Sequence, residues 1–121
     1  MKYLNTKNYA HYRHICFASE RSTVDYWCSH MLGKVNHRYI KQVPVGFLSQ
    51  RICAVDPLDL LVLDSESIGP EQMDYFIFIT KCIKPGLPVV VIGDAQIIRQ
   101  RLSHAGEILD VIDTPQPIQN L

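Results

Sequence analysis

Two short runs of unbroken apolar residues constrain this chain more than anything else in it. Asp59–Asp64 reads DLLVLD and Val89–Ile92 reads VVVI. A strand with one wet face alternates apolar and polar residues. A continuous run of this length instead suits a strand covered on both faces, as in the centre of a parallel sheet. Parallel neighbours need a crossover between them, so a helix should lie between the two runs. Gly69-Pro70-Glu71 is a good helix start, with proline at the first helical position and an acid in the first turn. Met73, Phe76, Ile77 and Thr80 then supply an inner face, and KPGLP at Lys84–Pro88 is a turn cluster.

The rest of the chain repeats this alternation. His14–Ala18 (HICFA) is an apolar run of strand length. Ser22 and Asp25 have capping-box spacing, Val24, Trp27, Cys28 and Met31 follow at helical intervals, and Gly33 marks a stop. His37–Val43 is more polar and reads as an edge strand. Phe47, Leu48, Arg51 and Ile52 suggest a short helix closed by Pro57. Asp94 can cap a helix over Gln96–His104 that Gly106 ends, and Ile108–Ile112 is a last strand. The fold expected is an α/β flavodoxin-like five-stranded parallel sheet, order 2-1-3-4-5, with helices on both faces. Residues 1–13 form a polar lead and 14–121 a single domain. Ligands of such sheets gather at the carboxyl ends of the strands, so Ser19, Glu20, Asp64, Gly93, Asp94 and Asp113–Pro115 are the residues to inspect.

Composition narrows the function classes. Twelve basic and twelve acidic residues balance, and no basic stripe appears, so direct nucleic-acid contact by this segment is not expected. Cys16, Cys28, Cys53 and Cys82 form no CxxC pair. That argues against a zinc site and for a reducing, cytoplasmic setting. Cys28 and His30 are two apart and do not share a helix face, so they are no metal pair. No apolar run nears the roughly 18 residues of a membrane span, and the first residues do not resemble a signal peptide.

Three segments together resemble the response-regulator receiver (CheY-like) family. Pro57–Asp64 (PLDLLVLD) is similar to the family's third strand, whose final aspartate accepts a phosphoryl group. Leu87–Asp94 (LPVVVIGD) is similar to its fourth, and Ala105–Pro115 (AGEILDVIDTP) to its fifth, which ends in Lys-Pro. The resemblance spans residues 14–115. It implies that Asp64 stands at the phosphoacceptor position and that Ser19 and Glu20 stand where an acidic pair would help hold Mg²⁺. It puts Gly93 at the position of a serine or threonine hydroxyl and Thr114 at that of a lysine. Pro115 is kept, where the family often has a cis peptide bond.

The missing hydroxyl and lysine set the functional expectation. A phosphoryl group on Asp64 would lack a neutralising cation, and Asp64, Glu20 and Asp94 would crowd into an acidic pocket in which the carboxylates raise one another's pKa. The resemblance therefore points to the degenerate, pseudo-receiver branch, as at the N-terminus of FleQ-type transcription activators. Such a domain is a non-catalytic regulatory module without cofactor, binding a protein partner or output domain. The alternative is a phosphoacceptor working on Asp64 with Mg²⁺. An enzyme or nucleotide binder lacks a P-loop, a GxGxxG and a nucleophile–base pair. Plainer roles also fit the residues. Asp64 could cap a loop, Glu20 could be a first-turn acid, Asp94 an N-cap, Trp27 and Met31 core, and His104 a partner of a helix C-terminus. Only Pro117–Leu121 remains for the family's fifth helix, so that helix should be truncated or missing: either the chain is a piece of a larger regulator, or the sheet keeps an apolar patch that would favour a homodimer.

Overall fold

A computed structural model describes residues 12–21, 40–103 and 105–113. Its five strands are β1 (Ile15–Ala18), β2 (Ile40–Val43), β3 (Leu60–Asp64), β4 (Val89–Gly93) and β5 (Asp110–Asp113). All pair in parallel, in the order β2-β1-β3-β4-β5. The expected sheet order is therefore found. The described helices are α1 (Leu48–Cys53), α2 (Pro70–Ile83) and α3 (Ala95–Arg101), with 3-10 turns at Val45–Phe47 and Ala105–Glu107.

Alternation along the strands sorts the core into two layers. Cys16, Ala18, Leu61, Leu63, Val89, Val91 and Val111 share one face. Leu48 and Ile52 of α1, Met73, Phe76 and Ile77 of α2, and Ile98 with Leu102 at the end of α3 pack in the same cluster. On the other face Ile15, Phe17, Leu60, Val62, Val90, Ile92 and Ile112 are each no more than 2% exposed. Among the described residues, these strand positions therefore show no open apolar patch of the kind the short C-terminal segment suggested. Each fully buried leucine, valine or isoleucine contributes roughly 1.5–3 kcal/mol from leaving water, which is why the two continuous runs sit in the middle of the sheet.

Several boundaries differ from the sequence reading. β1 and β3 start one residue later than expected, because His14 and Asp59 are engaged with each other ahead of the ladder. α3 ends at Arg101 because Leu102 turns to extended backbone (ψ 126°), and Ala105–Glu107 forms its own turn. The last strand starts at Asp110, in register with Val90. The helix expected over 22–33, the first residues of the expected edge strand, His104, Thr114, Pro115 and the segment 117–121 lie outside the described residues.

Candidate functional site at the strand ends

Register brings the candidate residues together. Ala18 pairs with Leu63, so Ser19 and Asp64 emerge side by side. Asp64 pairs with Ile92, so Ser65 and Gly93 do the same one step on. Gln42 of β2 holds the exit from β1, its side-chain amide donating to the carbonyls of Ser19 (2.8 Å) and Arg21 (2.7 Å).

Asp64 is fully buried. An ionised carboxylate there is tolerable only if its lone pairs are filled, and they are. Arg21 lays its guanidinium fork along both oxygens, Nε donating to Oδ2 and Nη2 to Oδ1, each at 2.7 Å. The Ser19 hydroxyl donates to Oδ2 at 2.7 Å and that of Ser67 at 3.2 Å, while the Glu66 backbone N–H donates to Oδ1 at 3.0 Å. Ser19 Oγ also accepts from Arg21 N at 3.0 Å, so the same serine anchors the arginine's backbone and touches the carboxylate the arginine pairs with. A two-point arginine–carboxylate pair is both strong and directional.

Two expectations are corrected here. The anionic centre does not lack a cation: Arg21 supplies it from the β1 side of the pocket rather than from after β5. Nor do the carboxylates crowd together. Glu20 turns away, Oε2 accepting the Val45 backbone N–H at 2.5 Å. Asp94 caps α3, Oδ1 accepting from Gln96 N at 3.0 Å and Ile97 N at 3.2 Å. Free N–H groups at the start of a helical turn attract a carboxylate, and both acids take that course instead of facing a second buried anion. Among the described residues no group of three or more His, Cys, Asp or Glu side chains could hold a metal ion.

Gly93 has a structural reason to be glycine. Its φ of 157° is unusual for an L side chain, and a Cβ there would lie 1.9 Å from Ser65 Oγ and 2.9 Å from Ile98 Cδ1. The space a side chain would take after β4 is filled by the Ser65 hydroxyl from after β3. Beside it, between the starts of α2 and α3, lies a cleft of about 210 Å³ bordered by Ser65, Asp94, Ile98 and Arg101. Asp64 does not line it.

Arg21, Ser67 and Gln42 were missed by sequence reasoning. A signal for the first existed. Once Ser19 and Asp64 are neighbours, Arg21 is a cation two residues beyond the serine that lies beside a buried acid.

No family model matches the sequence, and no curated protein matches it. Among solved structures the fold is similar to the crystal structure of an adenylate cyclase from Rhodopirellula baltica. The TM-score is 0.63 at 11% identity, covering 89% of this chain and 82% of that one. A likeness at that identity establishes the α/β parallel-sheet fold and nothing more. No helix among the described residues is long and apolar enough to cross a membrane.

Proposed function

We propose that this domain is a pseudo-receiver: a non-catalytic regulatory module that acts by binding a protein partner or output domain and does not cycle through phosphorylation. The observation that carries the reading is the Arg21 fork on both oxygens of a fully buried Asp64. An aspartate that accepts a phosphoryl group must present an oxygen in line with the donor. Here each oxygen is already held by a donor of the Arg21 guanidinium. Ser19, at a position where the family holds Mg²⁺ through an acid, is a neutral hydroxyl turned onto the same carboxylate.

The alternative, phosphorylation of Asp64 with Mg²⁺, requires Arg21 to swing out and then serve as the neutralising cation. Its side chain is 29% exposed, so a path outward exists. Incubation with acetyl phosphate and Mg²⁺, followed by intact-protein mass, separates the two. The pseudo-receiver reading expects no adduct. A stoichiometric phosphoryl gain that disappears in Asp64→Asn overturns it. The cyclase named for the structural neighbour does not extend to this chain, since the likeness is of fold alone.

A further inference from the structure

The cleft between the starts of α2 and α3 has a volume of about 210 Å³. At ~30 Å³ of liquid per water molecule it holds about seven, so its occupant is smaller than the molecules that fill pockets of ~300 Å³ and above. Its floor is apolar. Ile68 and Met73 line it from the α2 side and Ile98 and Leu102 from the α3 side, each no more than 8% exposed. Water on such a floor finds few partners, and hydrocarbon displaces it favourably. Ser103 N, donating to Asp74 Oδ2 at 3.1 Å, joins the two helices just past Leu102 and Met73 and closes that end.

Opposite charges stand at the two ends of this floor. Asp64 pairs with Ile92, so Glu66 and Asp94 leave the sheet together and put two carboxylates at the strand end, beside the Ser65 hydroxyl. Arg101 borders the other end, seven residues along α3 from Asp94. A helix rises 1.5 Å per residue, about 10 Å over that stretch, and a long helical side chain leans back toward the N-terminus. The guanidinium is therefore less than about 10 Å from the acidic end. Asp94 uses Oδ1 to cap α3. Among the described residues the Ser65 hydroxyl, the Glu66 carboxylate and the Arg101 guanidinium have no partner.

We propose that this cleft binds a small ω-amino acid: an aliphatic zwitterion with its carboxylate on Arg101, its methylenes over the apolar floor and its ammonium at Glu66 and Asp94. A carboxylate without the ammonium leaves the acidic end unmatched, and an amine without the carboxylate leaves Arg101 unmatched. An extended chain advances roughly 1.25 Å per bond, so ε-aminocaproate separates its charges by about 7 Å and matches the cleft, whereas β-alanine falls short. The site adjoins the Asp64 pocket. Glu66 N donates to Asp64 Oδ1 at 3.0 Å and Ser65 N to the Ile92 carbonyl at 2.9 Å, so an occupant that draws on Glu66 acts on the loop that holds Asp64. Such a ligand gives the domain an input that needs no phosphoryl transfer. The binding itself does not depend on how Asp64 is read, so a phosphoryl adduct there would sink the pseudo-receiver reading and leave this one standing.

Titration of the isotope-labelled full chain with ε-aminocaproate, followed by amide NMR shifts, is the test. Binding should saturate in the millimolar range, with the largest shifts at Ser65, Ile68, Met73 and Ile98. Caproate, hexylamine and β-alanine should each bind about threefold more weakly or worse, because each loses one of the two charge contacts. Arg101→Glu and Glu66→Lys should each weaken ε-aminocaproate by about fivefold or more, since a like charge then meets the ligand. Unchanged shifts away from the cleft verify that each variant is folded, and Arg101→Gln, expected to weaken binding by about threefold, replaces Arg101→Glu should the latter unfold. The proposal is overturned if ε-aminocaproate does not saturate, if its shifts map elsewhere, if caproate or hexylamine binds as tightly, or if either folded charge variant binds like wild type.

Discussion

Arg21 and Asp64 meet through two parallel hydrogen bonds of 2.7 Å, the arginine part-exposed and the aspartate wholly enclosed. The pair is also a stability element. Truncating one partner of a buried ion pair costs about 3–5 kcal/mol because the other charge is stranded. Water can reach the site when the part-exposed arginine goes, so Arg21→Ala should cost less, about 2 kcal/mol. Urea denaturation of Arg21→Ala, Asp64→Asn and the double variant gives the coupling directly. Additive effects of the two single substitutions would mean the pair is not coupled.

Placing a hydroxyl side chain at Gly93 should harm this protein. Gly93→Ser must adopt a φ of 157° and push its Cβ against Ser65 Oγ. We expect a loss of about 1–3 kcal/mol, the range for a strained backbone position. Ser65→Gly in the same chain should return part of it by removing the clash, leaving the backbone strain. Thermal melts of the three variants check the order wild type, double, single.

Thiol reactivity should separate two described cysteines. Cys16 lies in β1 and is buried, and that burial pushes its thiol up to about 11, with the Arg51 charge pulling slightly the other way. Cys53, at the end of α1, is exposed. At pH 8 the Cys16 thiolate is about a thousandth of the population even before access is counted. Iodoacetamide labelling read by peptide mass should mark Cys53 first and Cys16 only on unfolding. Equal labelling rates in the folded protein would contradict the buried thiol.

Acid should loosen the start of the sheet. Burial pulls the Asp59 carboxyl upward, but hydrogen bonds from the backbone and ring of His14 and the backbone of Arg13, with the charge of His14, outweigh it. The net result lies below the ordinary 3.8. A carboxyl lowered on folding contributes stability that is fully present above its unfolded value, near 3.9, and is lost as pH falls through the folded one. Urea midpoints followed downward from about pH 5 should therefore fall less steeply in Asp59→Asn than in wild type. Parallel curves would show that Asp59 contributes nothing.

The architecture was readable because burial on two faces leaves an unmistakable record. DLLVLD and VVVI suit central strands, and Gly69-Pro70 suits a helix start. Chain order and the handedness of crossovers then arranged the sheet. Element ends were less legible. Leu102 looks helical by spacing, yet it leaves the helix to enter the core. The pocket was half legible. Position alone picked out Ser19, Asp64 and Gly93. What fills the space around Asp64 depends on which way three polar side chains turn, and composition favours none of them. Glu20 and Arg21 are adjacent in sequence, yet one serves a helical turn and the other a buried anion. That choice follows from which strand edge each faces, a fact that exists only after the sheet has formed.

The guanidinium on Asp64 is attached to the same polypeptide as the carboxylate it neutralises. A dissolved cation obeys mass action: dilution empties its site and a chelator strips it. A tethered one answers to neither, because its local concentration is set by a two-residue arm and not by the solution. The resting shape of this domain should accordingly be indifferent to magnesium and to EDTA alike, and whatever changes that shape has to compete with a group that never diffuses away.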